Sequence, residues 1–208
     1  MTVNETYFFR EDYQFDCLVN SILPDIVSRK KEGSVIRIWS VPSSSGEEPY
    51  SIAIYLLEFW PGINHWDVEI LSSDIDTKII AQARRGHYSP RSVHRLPQWL
   101  LSKYFTVSSD GYQLNAELRE TVEFTRVNIT NQEEVRGYRG FDVIFCRNLL
   151  IYFDDLSRRQ TGVTFFDSLN PGGFLCLGHS ESMSRISSLF EVRKFKDSIV
   201  YQKPKEGR

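Results

Sequence analysis

Trp39-Ser40-Val41-Pro42-Ser43-Ser44-Ser45-Gly46-Glu47-Glu48-Pro49-Tyr50-Ser51 is the stretch on which the fold turns. Ahead of it, residues 35–39 form an apolar, β-prone run. Behind it, Ile52, Ala53, Leu56 and Leu57 recur at helical spacing. The segment reads as strand, tight turn, helix. In an open α/β sheet, ligands sit outside the carboxyl ends of the strands, where such turns lie. Small residues let a ligand approach the backbone, and Gly46 can adopt positive φ.

The turn has too few glycines for a dinucleotide fingerprint. No Gly-Lys-Ser/Thr follows it, so it is not a P-loop either. Glu47 and Glu48 suit a helix N-terminus but would repel a phosphate. A cationic nucleoside ligand without phosphates fits better. S-adenosyl-L-methionine, with its sulfonium and phosphate-free adenosine, is such a ligand.

Outward from the turn, residues 68–73 read as a strand ending in Ser72-Ser73-Asp74-Ile75-Asp76. Asp76 or Thr77 can cap a helix over 78–85, which Gly86 terminates. Residues 7–27 begin with alternating aromatic and polar residues and become a helix with Leu18, Ile22 and Ile26 on one face. Residues 87–120, with Pro90, Pro97, Trp99 and an Asp110-Gly111 step, read as short strands or turns around a hairpin, an inserted small subdomain. Strands follow at 122–127, ending at Asn128, and at 141–146, ending at Arg147-Asn148. A helix over 156–169 is closed by Asn170-Pro171-Gly172-Gly173, and a strand covers 174–177. Residues 190–195 and 198–202 form a terminal antiparallel pair. Alternating strands and helices give an α/β class with a mostly parallel sheet. The closing hairpin is compatible with the Rossmann-like class I methyltransferase variant.

The 208 residues suffice for one α/β domain with a sizeable core. With 41% hydrophobic and 25% charged residues the composition is globular, and a net charge of -2 supplies no basic field for nucleic acid. Cys17, Cys146 and Cys176 show no metal-ligand spacing and read as buried free thiols in a reducing compartment. No apolar stretch reaches transmembrane length and the first residues are unlike a signal peptide, so the expected location is cytoplasmic, without direct membrane insertion. Oligomeric state has no signal in the sequence.

Four strand tips carry polar groups: Ser43 to Glu48, Asp74, Asn128, and Arg147-Asn148. All four face one edge of a parallel sheet. An acid at the tip of the second strand, here Asp74, can accept hydrogen bonds from a ribose diol. Asn128 offers a donor and an acceptor to an adenine edge or a ribose, and Asn148 could hold the amino-acid end of a ligand.

These residues also match a known family. Asn4-Glu5-Thr6-Tyr7-Phe8-Phe9-Arg10, the Ser44 to Ala53 string, Ser73-Asp74-Ile75-Asp76, Phe145-Cys146-Arg147-Asn148-Leu149-Leu150-Ile151-Tyr152-Phe153 and Gly178-His179-Ser180-Glu181 occur in family order. On these motifs the chain resembles the CheR-type chemoreceptor glutamate methyltransferases. The resemblance implies S-adenosyl-L-methionine-dependent esterification of glutamate side chains on a chemoreceptor's cytoplasmic domain, releasing S-adenosyl-L-homocysteine. It places cofactor contacts at Asn4, Thr6, Arg10, Glu48, Asp74, Asn128, Ile129, Asn148 and Leu149, and the reaction centre at Arg10 and Tyr152. Members usually carry an all-helical domain before the Thr-x-Phe-Phe-Arg segment. That segment begins here at residue 6, so the helical domain is expected to be absent. In some members the inserted subdomain binds a receptor's C-terminal pentapeptide through a glycine-bearing loop. The shorter Thr106 to Tyr112 stretch, with one glycine, implies no such tether.

A glutamate carboxylate, with a reference pKa of about 4.3, is already a nucleophile at neutral pH, so no general base is required. Arg10 suits a carboxylate through its planar fork, and Tyr152 could orient the substrate oxygen. His179 then reads as a turn residue, and His87 and His94 as surface residues. Glu47 reads as a helix cap or local partner, whereas Glu48 reaches the ribose on the resemblance. Two other readings stand beside this one: a methyltransferase of the same fold with a different acceptor, and a non-catalytic S-adenosyl-L-methionine-binding signalling module.

Overall fold

A computed structural model of the chain describes residues 6–182, 188–196 and 198–205. The chain opens with α1 (Tyr13–Cys17), a π-helical turn (Leu18–Ile22) and α2 (Leu23–Val27). Then come β1 (Ile36–Ser40), α3 (Glu47–Phe59), β2 (Val68–Asp74) and α4 (Thr77–Arg85). The stretch before the next central strand holds β3 (His87–Tyr88), α5 (Pro90–Val93), α6 (Gln98–Tyr104), β4 (Phe105–Ser108), β5 (Gly111–Leu114) and α7 (Ala116–Glu120). The rest is β6 (Val122–Arg126), α8 (Gln132–Val135), β7 (Phe141–Cys146), α9 (Asp155–Ser168), β8 (Leu169–Leu177), β9 (Glu191–Lys194) and β10 (Ile199–Gln202).

The main sheet runs β6-β2-β1-β7-β8-β10-β9. Its first five strands are parallel, and β10 is antiparallel to both β8 and β9. Strand order reverses between β1 and β7, so the crevice at their carboxyl ends is the place for a ligand. This is a Rossmann-like, mostly parallel sheet with an antiparallel pair at one edge. A separate antiparallel sheet, β3-β5-β4, carries the expected hairpin, with Ser108 opposite Gly111.

Burial on both faces follows a two-residue period along the central strands. Ile36, Ile38, Val143, Phe145, Phe174 and Cys176 pack into a core with α1, α2 and α3. Trp39, Ile144, Cys146, Leu175 and Leu177 point the other way, into a second core with Phe165 of α9. All three cysteines are buried free thiols. Leu18, Ile22 and Ile26 are each 0% exposed, as their common face requires.

The structure corrects three details. The first helix widens into a π turn, with Leu23 N–H donating to Leu18 O. Pro24 has no N–H and its ring crowds the carbonyl one turn back, which accounts for the widening. Residues 87–120 hold three short helices besides their strands, because Ser89 and Asn115 cap two of them by accepting from Ser92 and Leu118 N–H. Strand β8 starts at Leu169 rather than 174. Phe141 pairs with Leu169 and Val143 with Phe174, so residues 170–173 bulge out of the ladder around Gly172, at φ +75°.

The cap expected at Asp76 is present, its side chain accepting from Lys78 N–H at 2.8 Å. Asp76→Ala should cost about 1 kcal/mol and lower the melting temperature by about 2–4 °C in a domain of this size, read by thermal denaturation.

Candidate active site

The turn after β1 is fastened on both flanks. Val41 N–H donates to Phe145 O at 2.9 Å and Ser43 N–H to Ser73 O at 2.7 Å. Ser44 N–H donates to Asp74 Oδ2 at 3.0 Å, and Tyr88 Oη donates to Ser45 O at 2.9 Å. Gly46 sits at φ +96°, and a Cβ there would lie 2.9 Å from Tyr88 Oη, so glycine is required twice over. The small sheet thereby buttresses the turn.

A pocket opens beneath it, lined by Thr6, Tyr7, Arg10, Phe15, Pro42, Ser43, Ser44, Glu48, Arg147 and Asn148. Four residues anticipated from the sequence, Thr6, Arg10, Glu48 and Asn148, meet here. The non-glycine residues with positive φ among the described residues are Phe9 (61°), Glu11 (54°), Ser44 (46°) and Asn148 (58°). Every one of them lies in the wall or next to a wall residue. Strained backbone of this kind persists only where surrounding contacts over-determine it, and it gathers at functional sites.

Glu48 sits in the first turn of α3. Ser40 Oγ donates to its Oε1 at 2.9 Å and Arg147 Nη1 to its Oε2 at 3.2 Å. Burial pushes its carboxyl above the usual carboxylate range, and Arg147 pulls back against that. Glu47, its neighbour, turns away into the interior and is 2% exposed. Ser45 Oγ donates to Glu47 Oε2 at 2.6 Å, which matches a local partner rather than a ligand group.

Burial also raises the Glu47 carboxyl, and the groups opposing that are hydroxyls, Ser45 and Ser92, together with its own backbone. The sign follows: stability from this group is full below its unfolded pKa and declines as pH rises through the higher folded value. Glu47→Gln should therefore raise the melting temperature at pH above that range and leave it unchanged at acid pH. Melting curves across pH check this.

Asp74 ends β2, and its carboxylate accepts from Ser44 N–H at 3.0 Å and Asp76 N–H at 3.0 Å, one on each oxygen. Each oxygen keeps a further lone pair for a ribose hydroxyl. Val127 N–H donates to Asp74 O at 2.9 Å, which brings the tip of β6 alongside. Asn128 Oδ1 accepts from Thr130 Oγ1 at 2.8 Å, leaving its amide nitrogen as the group that can donate to a ligand. Ile129, 6% exposed, packs into the second core and Leu149 packs against it. Tyr152 closes a short helical turn, Leu150–Tyr152, and is 51% exposed beyond the pocket wall. Asn4 lies outside the described residues.

Two residues, Glu11 and Glu181, were not anticipated as site components, and Arg147 was placed at a strand tip without a role. Arg147 crosses the pocket to Glu48, Glu11 and the Arg10 carbonyl. A charged residue directly after four successive apolar positions, 143–146, of a central strand was the signal for it. Glu11 pairs with Arg147 at 3.4 Å. Glu181 holds the tips of β7 and β8 together, accepting from Asn148, Leu150 and Gly178 N–H at 2.8, 2.7 and 2.9 Å. A Cβ on Gly178 would stand 2.8 Å from Glu181 Oε2, so the clamp needs that glycine. Nothing in the spacing of Gly178-His179-Ser180-Glu181 announces this role. His179, His87 and His94 are exposed, as expected of turn and surface positions.

The donor set suits a phosphate-free cationic nucleoside: carboxylates at Glu48 and Asp74, an amide at Asn148, and a turn whose backbone can be approached closely. A family profile described as "CheR methyltransferase, SAM binding domain" matches residues 4–199. Chemotaxis protein methyltransferase 2 of Vibrio cholerae serotype O1 is 56% identical over 209 residues, 100% of this chain and 72% of that protein. Chemotaxis protein methyltransferase of Borreliella burgdorferi is 38% identical over 187 residues, 88% of this chain and 66% of that protein. The crystal structure of DszA carbon methyltransferase superposes with a TM-score of 0.59 at 16% identity, over 95% of this chain and 55% of that one, a likeness of fold alone.

Proposed function

The chain belongs to the CheR methyltransferase family, matching its SAM-binding domain, and on that premise we propose that it methylates glutamate side chains of a chemoreceptor's cytoplasmic domain. The cofactor is S-adenosyl-L-methionine, which supplies, when bound, a sulfonium methyl that passes to a carboxylate oxygen while the C–S electron pair stays on sulfur. The product is a glutamate methyl ester beside S-adenosyl-L-homocysteine. The observation that carries the reading is the meeting of Thr6, Arg10, Glu48 and Asn148 in one pocket at the β1/β7 switch point.

Glu48 and Asp74 bind the ribose, and Asn128 with the backbone at Ile129 takes the adenine edge. Thr6, Arg10, Asn148 and Leu149 hold the amino-acid end. Arg10 and Tyr152 orient the acceptor carboxylate at the pocket mouth. Positioning and exclusion of water carry the rate, up to about 7–11 kcal/mol in ideal cases, because the acceptor is already ionised. The two-residue connection between Ser108 and Gly111 supports docking without a C-terminal pentapeptide tether. The protein works in the cytoplasm, where the receptor's methylated region lies.

Label transfer tests the acceptor. Methyl-labelled S-adenosyl-L-methionine incubated with this protein and a chemoreceptor cytoplasmic fragment should label the fragment, and mild base should release the label as methanol. Base-stable label, or none on any receptor fragment, contradicts the proposal.

A further inference from the structure

We infer that Arg147 is the positioning residue of the methyl-donor pocket: one buried guanidinium that fixes the Arg10 backbone and ties the Glu48 and Glu11 carboxylates to one another across the pocket. Its side chain is 4% exposed and touches three separate pieces of the wall. Nη1 donates to Glu48 Oε2 at 3.2 Å, on the first turn of α3. Nη2 donates to Arg10 O at 2.6 Å and lies 3.4 Å from Glu11 Oε2, both on the segment before α1. The guanidinium also stands 5.6 Å over the Phe15 ring, which closes its remaining face.

The arrangement solves two problems at once. Glu48 and Glu11 are only 14% and 17% exposed at their side chains, and the nearby Glu11 charge adds to the burial that raises the Glu48 carboxyl. Glu48 faces Arg147 from the residue after β7, Glu11 from the leading segment, the Ser40 hydroxyl from β1, and the Cys146 and Cys176 thiols from β7 and β8. Arg147 is the cation among these. Glu11 is in turn held by Gln14 Nε2 at 3.0 Å and Tyr13 Oη at 3.3 Å, so its carboxylate is fixed from both sides. The second problem is Arg10, whose neighbours Phe9 and Glu11 both have positive φ. The bond from Arg147 to the Arg10 carbonyl, with Phe9 N–H donating to Ser51 Oγ at 3.1 Å, holds that strained loop over the pocket.

Two roles imply two separable substitutions. Arg147→Gln removes the cation and the fork. Arg147→Lys keeps a cation but cannot reach three acceptors in one plane. The readout is calorimetry with S-adenosyl-L-homocysteine over about pH 5–9, which involves no methyl acceptor and stands apart from the receptor assay. For Arg147→Gln we expect affinity about tenfold weaker at neutral pH. The acid limb of binding should also move to higher pH, since Glu48 then protonates earlier. For Arg147→Lys we expect the acid limb near its wild-type place and affinity still reduced by about fivefold. A residue that merely supports the fold would lower the melting temperature without moving the limb. Arg147→Gln with unchanged affinity and unshifted profile, or Arg147→Lys indistinguishable from wild type, overturns the inference. If the Gln variant does not fold, the Lys variant decides alone.

Discussion

Asp74→Ala is expected to weaken S-adenosyl-L-homocysteine binding by about a hundredfold or more while the protein stays folded. The carboxylate has two tasks. It holds the turn after β1 through Ser44 N–H and starts the loop to α4 through Asp76 N–H, each at 3.0 Å. On the proposed reading it also offers its outer lone pairs to the ribose diol. Hydrogen bonds to a charged group contribute about 1.5–3 kcal/mol each, so losing a bidentate ribose contact removes about 3 kcal/mol or more. At about 1.4 kcal/mol per tenfold, that is two decades of affinity. Displacement of the turn adds to the loss. Asp74 is half-buried, so water can serve the two orphaned N–H groups and the fold survives. Asp74→Asn keeps one acceptor for Ser44 and should lose less. Calorimetry on the two variants measures both losses, and an affinity within threefold of wild type for Asp74→Ala would remove Asp74 from the site.

Glu181→Ala should be the most destabilising single change at the strand tips. Its carboxylate accepts three backbone N–H groups, from Asn148, Leu150 and Gly178. Asn148 and Gly178 lie just past the ends of two neighbouring parallel strands, beyond their last ladder pair Cys146–Leu177, and Leu150 opens the short helical turn that follows β7. Removing the acceptor leaves partly buried N–H groups unpaired, at about 1–3 kcal/mol each before water replaces any of them. A net loss of about 3 kcal/mol corresponds to about 6–12 °C in melting temperature for a chain of this length. Asn148, held at φ 58°, should relax at the same time and loosen the donor pocket. Thermal melts of Glu181→Ala and Glu181→Gln check the first effect, with the Gln variant intermediate. A melting temperature unchanged in both would show that the clamp contributes nothing.

The architecture was legible because its signals are local. Apolar runs ending at residues 39, 146 and 177 marked strands buried on two faces, and the polar residues that follow them marked the ligand edge. Asp74, Asp76 and Gly86 could be placed by elementary capping and strand-tip arguments, and the structure puts each at an element end. What escaped depends on contacts distant in sequence. The pairing of Arg147 with Glu48 spans 99 positions, and no local pattern encodes it. Glu181 reaches back 33 positions to Asn148 from a loop without periodicity. The π turn was present in Pro24 but hidden by an otherwise uninterrupted apolar stripe. The short helices between β3 and β6 were masked by the two prolines there, Pro90 and Pro97, which stand at helix starts, where proline is tolerated.

The central claim is a crevice at the strand-order reversal, with the Glu48 and Asp74 carboxylates at its strand tips, that selects a phosphate-free cationic nucleoside. Titrating the protein with S-adenosyl-L-homocysteine in the calorimeter, alone and with excess nicotinamide dinucleotide, tests it most directly. The account predicts one site per chain whose affinity the dinucleotide leaves unchanged. Absence of heat with S-adenosyl-L-homocysteine, or its displacement by the pyrophosphate-bearing competitor, would contradict it.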